Sequence, residues 1–274
     1  AAEAIVWRDR AWSYGWLLTR LDHWSQRLKE AAIPTGSVVS LEADFSPDGV
    51  ALFLALVEHR CVLVPLTGAV EKQKPEFLEV AAVGHRCVET ETGIELRSTG
   101  VGANHPHYAT LRERAHPGLV LFSSGSTGRS KAAVHDLSLL LEKFKVPRRS
   151  QRAITFLLYD HIGGVNTMLY TLSNAGCMVT VPDRKPDTVL AAVARHRVEL
   201  LPTSPTFLNL ILLSQAWQRH DLSSLRTVTY GTEPMPESTL RRFHEVLPQL
   251  TLQQTYGLSE VGILRSKSKS SDSL

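Results

Sequence analysis

Short apolar runs alternate with segments of helical periodicity along most of the chain, and this alternation restricts the fold more than any other feature. Ser37–Leu41 (SVVSL), Cys61–Pro65 (CVLVP), Ala153–Leu158, Cys177–Val181, Val198–Leu201 and Thr227–Tyr230 read as strands. Each lies beside a helix-like stretch. Residues 14–30 place Trp16, Leu17, Leu21, Trp24 and Leu28 on one stripe, and Pro47 opens a pattern that runs to about His59. Strands apolar on both faces and separated by helices predict an α/β fold: doubly wound, mostly parallel sheets covered by helices. Such sheets bind ligands beyond the carboxyl ends of their strands.

A chain of 274 residues, 43% hydrophobic, is long enough for one large domain or two smaller ones. Its net charge of +3 is concentrated at one end, because Arg265, Lys267, Lys269 and Asp272 contribute +2. The remaining body is nearly neutral, which gives no case for a nucleic-acid partner. Cys61, Cys87 and Cys177 are widely spaced and form no C-x-x-C pair, so they read as reduced thiols. No apolar stretch is long enough to span a membrane, and the charged N-terminus does not read as a signal peptide. A cytoplasmic location is therefore expected.

The least regular stretch is 84–117, expected as a linker or subdomain crossing. Its histidines, including His105, His107 and His116, lack a carboxylate at ligand spacing and read as a solvated loop. The expected division is a first α/β subdomain with linker over 1–117 and a second over 118–264. Residues 265–274, Ser-rich and basic, read as a flexible tail.

The sharpest local signal is Leu119–Lys131, LVLFSSGSTGRSK. An apolar strand runs into Ser123, Ser124, Gly125, Ser126, Thr127 and Gly128, and Lys131 follows. Glycines let backbone N–H groups approach an anion, hydroxyls rotate to meet phosphate oxygens, and the lysine adds a cation. The spacing G-x-x-G-x-x-K is not that of a Walker A loop. A Ser/Gly-rich surface turn is the alternative for S-G-S-T-G alone; the strand before it and the lysine after it favour phosphate binding.

SSGSTGRSK resembles the phosphate-loop signature of the adenylate-forming superfamily, which includes acyl- and aryl-CoA synthetases, peptide-synthetase adenylation domains and firefly-type luciferases. Other segments match in order. Ser37–Leu66 resembles the family's early strand–helix–strand, and Phe156–Pro182, with Asp160-His161-Ile162-Gly163-Gly164, its acyl-binding segment. Leu201–Leu213 resembles the helix after a Val-Pro pair. Tyr230–Pro236 (YGTEPMP) resembles a Gly-Gly-Glu-x-x-Pro stretch, and Gln254–Glu260 (QTYGLSE) the Tyr-Gly-x-[Thr/Ser]-Glu motif. Ser130, Ala132 and Thr232 depart from the usual Pro, Gly and Gly, without loss of a catalytic group.

The resemblance implies the N-terminal large domain of an enzyme that joins a small-molecule carboxylic acid to ATP, releases pyrophosphate and passes the acyl group to a thiol. It implies phosphate binding by Ser123, Ser124, Gly125, Ser126, Thr127, Gly128, Lys131 and Ser259. Gly231, Thr232, Glu233, Tyr256 and Gly257 would hold adenine, and Glu260 would bind Mg²⁺. His161, Gly163, Gly164, Thr203, Ser204 and Tyr230 would line the acid, with Lys131, His161 and Glu260 as the catalytic set. The thiol would belong to coenzyme A or to the phosphopantetheine of an acyl carrier protein. The family's ribose-binding Thr-Gly-Asp motif and lysine-bearing C-terminal domain do not follow Glu260 here, so the chain reads as a fragment that adenylates poorly alone. A stand-alone adenylation domain that loads a carrier protein and a non-catalytic nucleotide- or acyl-binding relative are the alternatives.

Overall fold

The computed structural model describes residues 2–123, 130–258 and 262–264. The chain divides into two compact units. One comprises Trp12–Val146 with Leu158–His161; the other comprises Ala2–Ala11, Pro147–Leu157 and the chain from Ile162 onward. The division falls at Val146–Pro147, so residues 118–146 join the first unit rather than opening a second at 118.

The first unit is built on a six-stranded sheet in the order Gly93–Ser98, His85–Thr90, Val38–Glu42, Val62–Leu66, Gly118–Ser123, Lys131–Asp136. The four inner strands run parallel and the two outermost are antiparallel to their neighbours. The expected helices cover it. Tyr14–Glu30 is capped by Ser13, whose hydroxyl accepts from the Trp16 N–H. Pro47–Glu58 is capped by Ser46, whose hydroxyl accepts from the Gly49 N–H. Val62, Val64, Phe77, Tyr108, Leu111 and Val120 meet in the core.

The stretch 84–117 is ordered structure rather than a linker. It holds the antiparallel pair His85–Thr90 and Gly93–Ser98, then the helix Pro106–Glu113. The edge strand Gly93–Ser98 and its inner neighbour His85–Thr90 are only partly buried and carry polar residues at most positions, so hydrophobicity alone does not mark them. His105 caps the helix through a ring nitrogen that accepts from the His107 N–H, and His116 pairs with Asp136 at 2.8 Å.

The second unit holds a sheet in the order Thr251–Gln254, Thr227–Tyr230, Leu200–Thr203, Arg152–Ile154, Cys177–Val179, Glu3–Trp7, Arg10–Ser13. Pairing is parallel from Thr251–Gln254 through to Glu3–Trp7. Helices Pro186–His196, Pro205–Ser214 and Glu237–Val246 bury Val189, Phe207, Ile211, Leu240 and Phe243 with Leu201 and Val228 of the sheet. Two apolar runs differ from the sequence reading. Val198 closes the preceding helix by donating to the Val193 carbonyl, so its strand begins at Leu200. The run Ala153–Leu158 serves two cores: the strand stops at Ile154, and Leu158 and Tyr159 belong to the first unit.

The three cysteines are buried and unlinked. Burial pushes the Cys61 thiol up to about 12 and Cys177 to about 11, which keeps both protonated.

Candidate active site

Strand Gly118–Ser123 and strand Lys131–Asp136 form an antiparallel pair in which Ser123 lies opposite Lys131. A hydroxyl and the exposed Lys131 are thus paired across the two strands that flank the motif expected to bind phosphate. Ser124, Gly125, Ser126, Thr127 and Gly128 lie outside the described residues. The short helix Lys74–Val80 holds these strand ends from both sides. Phe77 stacks on Phe122 with centroids 3.9 Å apart and planes 3° from parallel, and Glu76 accepts from the Ser130 N–H at 3.0 Å.

That helix is tied in turn to a buried carboxylate. Glu42 receives Arg86 through two hydrogen bonds of 2.6 and 2.7 Å, receives the Ser40 hydroxyl at 2.9 Å, and has Lys74 at 3.6 Å. Burial alone would raise the Glu42 pKa, but the bonds from Arg86 and Ser40 outweigh it and hold the group below its ordinary range. Nothing in the sequence singled out Glu42, Phe77, Glu76 or Arg86, because each acts through a partner far away in the chain.

The acyl segment begins in the first unit. Tyr159 packs edge-on against Phe45, and its hydroxyl donates to the Asp44 carbonyl at 3.2 Å. Asp160 accepts from the Thr67 hydroxyl and N–H, just beyond the strand Val62–Leu66. His161 is pushed toward the neutral imidazole by burial, against the pull of Asp160. Gly163 and Gly164 follow in the first turn of the helix Ile162–Ser173, both buried.

The second unit brings most of the other candidates together at adjacent strand ends. Thr203 lies beside Tyr230, and Tyr230 beside Gln254, across parallel strands. The Thr203 hydroxyl is buried, with no hydrogen-bond partner among the described residues. Ser204 caps the helix Pro205–Ser214 by accepting from the Phe207 N–H. The turn after Tyr230 then closes on the end of the last parallel strand. A Cβ on Gly231 would stand 2.6 Å from the Thr255 carbonyl oxygen, so only glycine fits there. The Thr255 N–H and hydroxyl donate to the Tyr230 carbonyl at 2.7 and 3.1 Å. Thr232 adopts φ +74°, which is unfavourable for a β-branched residue.

Tyr256 and Gly257 lie in a strand, Tyr256–Leu258, antiparallel to Gly262–Leu264. Ser259, Glu260 and the tail 265–274 lie outside the described residues. Among those described, no three His, Cys, Asp or Glu side chains form a metal-binding group, and no helix is long and apolar enough to cross a membrane.

Comparison with known proteins assigns the class. The family model described as "AMP-binding enzyme" matches residues 68–272, and the chain belongs to that family. An indoleacetate–CoA ligase of Aromatoleum aromaticum is 25% identical, aligned over 94% of this chain and 57% of its own length. A 4-coumarate–CoA ligase 5 of Oryza sativa subsp. japonica is 29% identical, over 86% of this chain and 50% of its own length. The chain thus spans about half the length of these curated relatives. The luciferase-like enzyme of the mealworm Zophobas morio superposes with a TM-score of 0.79 at 19% identity, covering 96% of this chain and 70% of that one. The fold is that of adenylate-forming enzymes.

Proposed function

We propose that the chain carries the nucleotide and acid sites of an AMP-forming ligase that activates an aryl carboxylic acid. One observation carries the reading: the AMP-binding family match runs from residue 68 to 272 and contains the phosphate motif and both strand-end segments. The names of the ligases above, acting on indoleacetate and 4-coumarate, favour an aromatic acid and coenzyme A as acceptor. A carrier-protein phosphopantetheine is the other thiol of the same chemistry.

In this reading a carboxylate oxygen attacks the α-phosphorus of ATP. The new O–P bond forms as the bond to the pyrophosphate oxygen breaks, and pyrophosphate leaves with the negative charge. The reaction needs positioning and charge stabilisation rather than a protein nucleophile. Lys131 and the hydroxyls of Ser123, Ser124, Ser126 and Thr127 hold the β- and γ-phosphates, while Gly125 and Gly128 open the backbone to them. Tyr256 stacks on adenine, Gly231–Glu233 and Gly257 line its edge, and Ser259 meets the α-phosphate. Glu260 and phosphate oxygens suit Mg²⁺, which would screen the charge on the phosphates. A neutral His161, whose lowered pKa makes it a weak base, donates a ring N–H hydrogen bond to the carboxylate. Gly163 and Gly164 leave room for the ring, and Thr203, Ser204 and Tyr230 line the remainder.

The test is acid-dependent exchange of labelled pyrophosphate into ATP, screened over indoleacetate, 4-coumarate, benzoate and a fatty acid. Exchange strongest with an aromatic acid is expected. Because the chain is expected to adenylate weakly on its own, the contradicting results are exchange strongest with the fatty acid, or no binding of either Mg·ATP or any of the acids by calorimetry.

A further inference from the structure

Glu233 was expected only as backbone beside adenine, yet its side chain does something more specific. Its carboxylate accepts from the Thr206 N–H at 2.8 Å. Thr206 is in the first turn of the helix Pro205–Ser214, where N–H groups have no partner inside the helix. Burial works against ionisation of Glu233, but the bonds from the Thr206 N–H and from the Thr206 and Ser204 side chains prevail and hold its pKa below the ordinary range. Ser204 already caps this helix through Phe207, so Glu233 reaches in from another segment.

The two segments have different expected ligands. Gly231–Glu233 faces the nucleotide in the proposed reading, while Thr203, Ser204 and the helix after them face the acid. The turn is fixed on its other side by Gly231 against Thr255, and it contains the unfavourable Thr232 backbone. A turn anchored at both ends transmits displacement instead of absorbing it. Thr203, buried and with its hydroxyl unpartnered among the described residues, stands one residue before the Ser204 cap.

We infer that Glu233 is a positioning residue: by bonding to Thr206 it ties the nucleotide-side turn to the acid-side helix, so that occupancy of one site organises the other. The inference rests on the proposed function. It assigns Glu233 no contact with the reacting atoms. Its signature is energetic coupling between the two ligands, which by linkage is the same whichever binds first.

The 274-residue chain is titrated calorimetrically with Mg·ATP, with and without saturating 4-coumarate, alongside thermal melts. The acid is expected to tighten Mg·ATP by roughly 10-fold in the wild type, and by no more than about 2-fold in Glu233→Ala. Glu233→Gln keeps an oxygen that can accept from Thr206 and should restore most of the coupling. Glu233→Asp is one methylene too short and should not. Glu237→Ala, which removes a neighbouring exposed carboxylate paired with Arg241, should match the wild type. A lower melting temperature in Glu233→Ala with full coupling would make the contact a helix cap only and overturn the inference. If the alanine variant does not fold, wild-type coupling in Glu233→Asp overturns it equally. A wild-type chain that binds neither ligand would instead overturn the functional reading, and this inference with it.

Discussion

At the ends of the paired strands Gly118–Ser123 and Lys131–Asp136 the fixed elements are side chains: Phe77 lies flat on Phe122, Glu76 holds Ser130, and the helix carrying both is fastened through Lys74 to the Glu42–Arg86 pair. At the strand ends of the second unit the fixed elements are mostly backbone: Gly231 is pressed against Thr255, the Tyr230 carbonyl is doubly bonded, and Thr232 is held in a left-handed conformation. Both regions present candidate ligand-binding groups at the carboxyl ends of parallel strands. The first should fail when charges are removed, and the second when atoms are added.

The largest expected effect breaks the charge network. Arg86→Ala leaves Glu42 buried with its main counter-ion gone, which should cost about 3–5 kcal/mol in urea unfolding. The pH dependence has a definite sign. Glu42 has a folded pKa below its unfolded value, so its contribution is present above the unfolded value and is lost as pH falls through the lowered folded one. Stability of the wild type should therefore decline on acidification below the ordinary glutamate range, and Arg86→Ala should flatten that decline.

Lys131→Ala tests the exposed cation beside the phosphate motif. It should weaken Mg·ATP binding by roughly 100-fold, the scale of a lost charge-assisted phosphate contact, with little change in melting temperature. In the second unit, Gly231→Ala forces a Cβ into the Thr255 carbonyl and should cost about 2 kcal/mol, read from the denaturation midpoint. Thr232→Gly should act in the opposite direction, stabilising by about 1 kcal/mol as the left-handed backbone is relieved. Destabilisation by Thr232→Gly would show that the threonine side chain, not the backbone, organises this turn.

The contrast also explains what the sequence made legible. Val62–Leu66 and Cys177–Val179 were readable because strands buried on both faces carry unbroken apolar runs. The pair His85–Thr90 and Gly93–Ser98 was not, because its outward residues are polar and the pattern dissolves at a sheet edge. Ala153–Leu158 misled for another reason: one apolar run is shared between a strand and the Tyr159 contact of the first unit. In the site, Ser123 and Lys131 announce themselves by residue type within a short motif. Glu233 does not, because the partner that defines its side-chain role, Thr206, lies 27 residues earlier. Glu76 and Phe77 are equally silent, as an acid and an aromatic in a polar helix have many ordinary uses.

The central claim is that one chain binds both halves of an acyl-adenylate. The most direct measurement is the affinity of a non-hydrolysable coumaroyl-sulfamoyl-adenosine, compared with Mg·ATP and 4-coumarate separately. Joining the two halves should tighten binding by about 100-fold or more over either alone. Binding no tighter than the better single component would contradict the account.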